Sequence, residues 1–387
     1  MWRHIASNFL TFLVVLVFLL GGVILWGQSE YTAQGPLEEP ICLRVDRGSN
    51  MRVVSRQLEA EGALSNGTIF RVGAEYSDKT SLLKAGSWLI PEGASMSEIT
   101  DIVTRGGAST CGTEVVYRIG VTSSEVQVRE LDPATNRYVE KAEFTPGQVD
   151  APQIFENVRE KADTRYRIAV AEGVTSWQIV NGLQSVDVLE GEVGETPPEG
   201  SLAPDSYEVS EGDARGSVIE RMRAAQDAIL ANAWQNRADD IPLESPYEAL
   251  ILASIIEKET GVPSEREQVA SVFTNRLRQG MRLQTDPTVI YGITEGEGVL
   301  GRGLRRSELR AETPWNTYVI DGLPPTPIAN PGRASIEAAV NPLDTDYIFF
   351  VAKTLDPRDG HLFAETLAEH NENVARYRAL EAERDNN

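Results

Sequence analysis

The chain has 387 residues, 41% of them hydrophobic, and a formal net charge of −22 at pH 7. This length leaves room for two or three domains with a sizeable core. Such acidity argues against binding nucleic acid, whose phosphates need a basic surface, and against docking on anionic lipid headgroups. The three histidines and two cysteines have no metal-ligand spacing, so neither a metal nor an organic cofactor is expected.

The N-terminal segment is strongly apolar. No charged residue lies between Ile5 and Trp26, and this run is long enough to cross a bilayer as a helix. A cleaved signal peptide is the alternative, but the run is long for one and no small-x-small cleavage site comes after it. The only nearby positive charge lies in residues 1–4. We therefore expect a membrane helix over residues 5–26 with its N-terminus in the cytoplasm, followed by a tether over residues 27–40.

Residues 41–113 alternate between strand-like and helix-like patterns. A strand is predicted at Ile41–Val45, a helix over 49–62, a strand and turn over 84–93, and a helix over 95–105. The arrangement resembles a LysM module, which in other proteins binds chains containing N-acetylglucosamine. The alternative is a small domain that only positions the catalytic part. Cys42 and Cys111 are either buried thiols or, in an exported protein, one disulfide that closes this domain.

The middle of the chain has β and mixed character. Residues 114–165 look like a β-rich insertion without recognisable chemistry, and residues 166–240 like a second αβ unit with a connecting helix over 217–234. The segment Val170-x-x-Gly173, followed by an apolar helix, weakly repeats a pattern that begins at Val45. Residues 241–387 remain for a C-terminal α+β domain.

The C-terminal domain opens with a helix predicted from Ser245, through a capping box with Glu248, to about Thr260. On this helix Glu259 is expected on the apolar face, whereas Glu257 is expected on the opposite, solvated face. Desolvation should raise the pKa of the Glu259 carboxyl, which suits a general acid near neutral pH. Gly261 is expected to end the helix in the left-handed conformation.

Local motifs also predict the elements after this helix. Ser264 and Glu267 form a second capping box, and a helix then runs to Gly280. Asp286 before Pro287 is expected to serve mainly as the N-cap of a further helix. The Pro-rich residues 322–332 predict a rigid loop lining a groove, and residues 347–352 predict a buried strand.

Several of these motifs closely resemble the endolytic murein transglycosylase family (MltG, or YceG-like). They are Glu257–Thr260, Ser264–Arg266, Val269–Phe273, Asn275–Leu277, Met281–Gly292, Thr313–Tyr318, Gly322–Pro325, Ile328–Gly332, Tyr347–Val351, His361-x-Phe363 and His370-Asn371. The resemblance is dense over about the last 180 residues. In that family the catalytic acid is the Glu directly before the Thr, which corresponds to Glu259.

The resemblance implies a single-pass inner-membrane protein whose periplasmic part cleaves peptidoglycan between N-acetylmuramic acid and N-acetylglucosamine. One Glu suffices as acid and base when the sugar's own C6 hydroxyl closes a 1,6-anhydro ring. It also implies a place near wall-synthesis enzymes. The alternatives are a hydrolytic muramidase, for which Asp286 is the nearest second carboxylate, and a non-enzymatic wall-binding scaffold.

Candidate sugar-binding residues in the motif-bearing segments carry amides, hydroxyls, aromatic faces or a carboxylate. Each could instead be a buried hydrogen-bonding residue of the core. They are Asn275, Gln284, Asp286, Tyr291, Asn316, Tyr318 and Asn330.

Overall fold

The computed structural model describes residues 2–107, 109–159, 161 and 163–385. Its helices are α1 Trp2–Thr32, α2 Met51–Ala60, α3 Gly67–Tyr76, α4 Met96–Arg105, α5 Gln153–Arg159, α6 Ser176–Gln184, α7 Arg215–Gln235, α8 Pro246–Glu259, α9 Arg266–Arg278, α10 Asp286–Thr294, α11 Arg333–Val340 and α12 Leu367–Asp385. Its strands are β1 Ile41–Val45, β2 Gly86–Ile90, β3 Thr113–Ile119, β4 Ser124–Asp132, β5 Arg137–Phe144, β6 Arg165–Val170, β7 Ser206–Val209, β8 Phe349–Ala352 and β9 His361–Ala364. The mixture of separate helical and antiparallel elements confirms an α+β protein with an N-terminal apolar helix.

The strands form three sheets. β1 pairs with β2, β8 pairs with β9, and the five strands from the middle of the chain lie in the order β5-β4-β3-β6-β7. The β6–β7 pair is antiparallel, with Tyr166 opposite Val209 and Ile168 opposite Tyr207. All four of these side chains are buried, so the register places one face of the pair against a core.

The chain divides into two compact units. The first comprises residues 1–115, 127–144 and 150–165. Its β1–β2 pair packs with α2, α3 and α4 around a core that includes Leu43, Phe70 and Trp88. The order β1-α2-α3-β2-α4 contains α3 as a helix that the sequence patterns did not predict. The likeness to LysM modules and the division into seven segments stay predictions.

Cys42 and Cys111 are paired as a disulfide within the first unit. The bond joins β1 to the segment after α4, and 69 residues separate the two cysteines along the chain. It therefore closes the β1-α2-α3-β2-α4 segment into a loop.

The N-terminal helix is longer than predicted. α1 continues past Trp26 to Thr32, so the first residues of the predicted tether are helical. The stretch Phe9–Thr32 is long and apolar enough to cross a membrane. Near its end the Tyr31 hydroxyl donates a 2.9 Å hydrogen bond to Thr100 Oγ1 of α4. A Cβ on Gly73 of α3 would lie 2.3 Å from the Tyr31 ring, so only glycine permits this contact.

The second unit comprises residues 116–126, 145–149 and 166–387. Helix α8 lies in the middle of its core, because the eight consecutive residues from Ala249 to Ile256 are all buried. Residues of α7, α9 and α11 belong to the same core cluster. A helix that is buried on every side cannot show a clean amphipathic period. Because core residues surround α8, the whole domain holds its C-terminal end in place.

Several local predictions hold and several fail. Ser245 caps α8 by accepting from the Glu248 amide, and the helix predicted over residues 95–105 is α4, on which Ser95 and Glu98 form a capping box. The predicted left-handed Gly261 is wrong, because Thr260 leaves the helix in extended conformation with φ −134° and Gly261 does not have a positive φ.

Two further predictions in the C-terminal domain need correction. The Ser264 capping box is wrong, because Glu265 is the N-cap residue of α9 and makes no side-chain cap there. The predicted buried strand at residues 347–352 is half-exposed and begins only at Phe349, since β9 is its one partner in the two-stranded sheet.

Candidate active site

Glu259 is the last residue of α8, at the point where the buried helix reaches the surface. Its Oε1 atom accepts a hydrogen bond from the Thr285 hydroxyl. Burial raises the pKa of the Glu259 carboxyl, and the negative charge of Asp286 raises it further. The Thr285 hydrogen bond and the positive charges of His361 and Arg276 oppose this shift. The desolvation expected from the helical face of Glu259 is therefore present in the structure.

Thr285 is itself held by buried hydroxyl groups. Its amide donates to Thr317 Oγ1 at 3.0 Å, and its carbonyl accepts from Thr288 Oγ1 at 2.8 Å. The Thr288 and Thr317 hydroxyls lie 2.9 Å apart. All three threonines are buried, so the donor to Glu259 has little freedom to rotate away. Rigid support of this kind keeps an acid in one orientation.

Asp286 does not cap a helix, which corrects the role predicted from its position before Pro287. The N-cap residue of α10 is Thr285, and α10 has no side-chain cap. Instead, Asp286 Oδ1 accepts a 2.6 Å hydrogen bond from the Tyr318 hydroxyl. Burial, followed by the hydrogen bond to Asp286, raises the pKa of Tyr318 above its usual value. An exposed carboxylate thus lies close enough to Glu259 to affect its proton affinity.

Gln284 completes the exposed side of this cluster. It adopts φ +50°, which is uncommon for a residue with a side chain, and its amide donates to Thr317 O at 3.1 Å. Strained backbone next to a charged cluster is typical of functional sites. Of the seven candidate sugar-binding residues, Gln284, Asp286 and Tyr318 lie next to the acid.

The three candidate asparagines have their amides engaged within the protein. Asn275 Nδ2 donates to the carbonyls of Thr345 and Tyr347. Asn316 Nδ2 donates to the carbonyls of Glu308 and Ala311.

Asn330 is buried and donates to Val174 O, Ser176 Oγ and Glu199 Oε1. It also accepts from the Leu202 amide. The geometry therefore favours the structural alternative for all three asparagines, and contact with a sugar stays a prediction.

Tyr291 lies at the other end of α10 from the acid. Its ring packs edge-on against Trp315, with the centroids 5.6 Å apart, and its hydroxyl points to Glu199 Oε2 at 3.4 Å. Burial raises the pKa of the Glu199 carboxyl, which also accepts from the Ser176 amide at 2.8 Å. Tyr291 and Glu199 form a second polar cluster that does not include Glu259.

Glu257 does not lie on a solvated face, which corrects the helical-wheel prediction. Its side chain is only 6% exposed, with Oε1 3.8 Å from an Arg266 nitrogen. Oε2 accepts a 2.9 Å hydrogen bond from the Gly332 amide, at the start of α11. A carboxylate at a helix N-terminus is favourable for stability. Glu257 therefore connects α8 to α9 and α11.

Three residues near the acid were not predicted as site residues. Thr285, Arg276 and His361 all fall inside the recognised motifs but show no local signal of their role. Arg276 donates to Ile348 O and Leu283 O, which keeps its guanidinium buried. The His361 amide and Nδ1 both contact the Glu265 carboxylate, at 2.7 and 2.9 Å.

Within the described ranges, no group of three or more His, Cys, Asp or Glu side chains could hold a metal ion. The groups around Glu259 are hydroxyls, one carboxylate and two basic side chains. This set suits proton transfer by Glu259, whose pKa is raised, beside the Asp286 carboxylate, which can stabilise positive charge. The arrangement places a carboxyl with a raised pKa on a rigid α+β framework, which is the environment that a general acid needs.

Comparison with known proteins identifies the family. Residues 43–376 match the model of the YceG-like family, and the chain belongs to that family. An endolytic murein transglycosylase of Bacillus subtilis (strain 168) is 27% identical over 364 residues, which cover 93% of this chain and 91% of that protein. An endolytic murein transglycosylase of Streptococcus pneumoniae serotype 2 (strain D39 / NCTC 7466) is 24% identical over 97% of this chain and 66% of its own length. A crystal structure of a yceG-like protein from Listeria monocytogenes aligns with TM-score 0.45 and 26% identity over 87% of this chain and 99% of that chain.

Proposed function

We propose that this protein is a membrane-anchored endolytic lytic transglycosylase that cleaves peptidoglycan strands between N-acetylmuramic acid and N-acetylglucosamine. The observation that carries the proposal is the Glu259 carboxyl, which accepts a hydrogen bond from Thr285 and whose pKa is raised by burial and by the neighbouring Asp286. Family membership and the names of the curated relatives support the same reaction class.

The reaction needs one group that first gives and then takes a proton. Protonated Glu259 donates its proton to the glycosidic oxygen, and the bond from that oxygen to C1 of N-acetylmuramic acid breaks. Positive charge then develops at C1, where the Asp286 carboxylate stabilises it. The Glu259 carboxylate removes the proton from the C6 hydroxyl of the same sugar as that oxygen attacks C1. The products are a 1,6-anhydro-N-acetylmuramic acid end and a free N-acetylglucosamine hydroxyl, with no water consumed.

The muramidase alternative uses the same groups differently. In that reaction Asp286 would activate a water or attack C1 itself, and the product would have a reducing end. The 2.6 Å hydrogen bond from Tyr318 favours a stabilising role, because a carboxylate engaged by a strong donor is a weaker base and nucleophile. The scaffold alternative predicts that neither carboxylate matters for function.

The deciding experiment is digestion of uncross-linked peptidoglycan by the purified protein in detergent, with the products identified by mass spectrometry. Wild type should give anhydro ends, and Glu259→Gln, which keeps the shape of the side chain, should give none. Glu257→Gln is a matched control two residues away, and it should retain anhydro products if it folds. Reducing ends from wild type would establish the muramidase instead. Unchanged cell-wall strand length in cells carrying only Glu259→Gln would support the scaffold.

We further propose that α1 stays in the inner membrane as a single-pass anchor, with residues 1–4 in the cytoplasm and the catalytic part in the periplasm. The proposal is supported by the apolar span Phe9–Thr32 and by the positive charge of Arg3 before it. Such an anchor would keep the enzyme close to nascent strands and to the enzymes of wall synthesis. Replacing α1 by a cleaved signal peptide should change strand length in cells, and an unchanged length would refute the need for anchoring.

A further inference from the structure

A groove in the second unit lies away from the residues around Glu259. It has a volume of about 340 Å³, and helix α6 forms one of its walls. Trp177 and Asn181 of α6 and Ser185, its C-cap residue, lie along one helical stripe in this wall. The opposite wall contains the β3–β4 turn, residues 120–124. None of the residues that line the groove is charged, although the chain carries a net charge of −22.

The groove is built from elements that are tied to one another. Thr175 and Gln178 form a capping box at the start of α6, and Gln178 Nε2 donates a 2.8 Å hydrogen bond to Val121 O in the turn. A Cβ on Gly182 would lie 2.6 Å from Ile119 Cδ1, so glycine is what lets α6 approach β3 this closely. A cleft supported in this way keeps its shape before any ligand arrives.

Trp177 is the largest side chain that lines the groove. It is 37% exposed, although its flat indole would bury more favourably, and Asn181 lies one helical turn further along. An indole face packs well against the C–H face of a pyranose ring, while amides and hydroxyls bond the ring's hydroxyl groups. The absence of charge in the groove disfavours a phosphate, a cation or a charged peptide. The lining therefore fits the uncharged hydroxyl and acetamido groups along a sugar chain.

The groove is connected to the acid through one helix. Thr175 Oγ1, at the start of α6, donates a 2.7 Å hydrogen bond to Gly296 O, just beyond the C-terminal end of α10. The other end of α10 is Asp286, next to Glu259. Nine residues of helix span about 13 Å, so the groove and the acid are separated by a few sugar units. Gly298 and Val299, from the segment after α10, line the groove directly.

We propose that the groove around Trp177 is an accessory binding site for a peptidoglycan glycan strand, several sugars away from the bond that Glu259 cleaves. This inference rests on the proposed function for the identity of the glycan. A strand held at both places is cut at a set distance from the Trp177 contact, which favours internal bonds over chain ends. The site thus determines where along the strand the enzyme cuts, whereas Glu259 performs the cleavage.

Binding is tested apart from cleavage in the Glu259→Gln protein. The probes are a neutral oligomer of N-acetylglucosamine and, separately, peptide-free glycan strands from peptidoglycan, whose N-acetylmuramic acid units each carry a lactyl carboxylate. Adding Trp177→Ala should weaken strand binding about tenfold, the order expected for losing one stacking platform. Trp177→Phe keeps an aromatic face and should restore most of the binding. Tyr247→Ala, an exposed aromatic on a different helix, is the matched control and should bind like the parent.

The second readout is the length of the products. In the otherwise wild-type protein, Trp177→Ala should broaden the distribution of product lengths on long strands, while the rate on a substrate too short to reach the groove stays unchanged. Binding and product lengths equal to those of the parent, in a folded Trp177→Ala protein, overturn the proposal. If that variant does not fold, Asn181→Ala decides by the same two measurements.

The outcomes also separate this inference from the proposed function. If Trp177→Ala weakens strand binding but wild type cleaves no strand, the catalytic proposal is refuted and the accessory site stands. If wild type gives anhydro products but Trp177→Ala does not change strand binding, the accessory site is refuted and the catalytic proposal stands. Equal affinity for the N-acetylglucosamine oligomer and the peptidoglycan strand shows that the groove recognises the shared sugar.

Discussion

The hydrogen bond between Tyr318 and Asp286 gives a quantitative test of the mechanism. Tyr318→Phe removes the hydroxyl that donates over 2.6 Å to Asp286 Oδ1 and keeps the ring. A hydrogen bond to a charged group contributes about 1.5–3 kcal/mol. Because Asp286 is exposed, water replaces part of this contribution, and we take the lower end. With 1.36 kcal/mol per factor of ten in rate, kcat/KM should fall about tenfold.

The assay is the initial rate of anhydro-end formation on uncross-linked strands, with full-length protein in detergent. Tyr318→Phe should have almost no further effect in an Asp286→Asn background, because the hydroxyl then has no carboxylate to orient. Tyr247→Phe removes a hydroxyl at the far end of α8 and should leave the rate unchanged. The reasoning fails if Tyr318→Phe matches wild type, or if it slows both backgrounds equally.

Four further outcomes are expected from the same contacts. Cleavage should decline as pH rises through the raised pKa of Glu259, and Asp286→Asn, by removing a negative charge, should move this decline to lower pH in a pH–rate profile. A carboxyl whose pKa is higher in the folded than in the unfolded protein destabilises the fold once the pH is high enough to ionise it. Glu259→Gln should therefore increase the midpoint temperature of unfolding near neutral pH but not in acid. An equal increase at neutral and acidic pH would contradict this. Asn330→Leu removes the contacts of a buried amide with Val174, Ser176, Glu199 and Leu202 and should cost about 3 kcal/mol in urea unfolding, and a cost below 1 kcal/mol would show that they contribute little. Replacing Cys42 and Cys111 by Ser should destabilise the first unit by about 4 kcal/mol, from the loop entropy of a 69-residue separation, with reductant on wild type as the control.

Local sequence signals worked where local contacts decide the structure. The start of α8 at Ser245 and the bounds of α4 and α7, each within two residues of the prediction, depend on neighbouring residues. The desolvation of Glu259 was also readable, because Leu and Ile share its helical face.

Predictions failed where the surroundings of a side chain depend on segments far away along the chain. Glu257 was assigned to solvent, but α8 is buried on all sides, and its carboxylate meets Arg266 and the Gly332 amide, 75 residues away along the chain. Asp286 looked like a helix cap because it precedes a proline, yet its partner is Tyr318, 32 residues further on. No local pattern announces either contact, and helical periodicity carries no information on a helix without an exposed side.

The contact between Tyr31 and Gly73 limits where a foreign N-terminal segment can be joined to this protein. Because α1 is continuous into residues that pack on α3 and α4, the apolar segment and the first unit meet without a flexible joint. A foreign segment spliced in at Trp26 would preserve the fit, whereas one spliced in after Thr32 would remove Tyr31 and leave a gap beside Gly73. Chimeras and truncated versions of this protein should therefore keep the last turns of α1, after Trp26, together with the first unit.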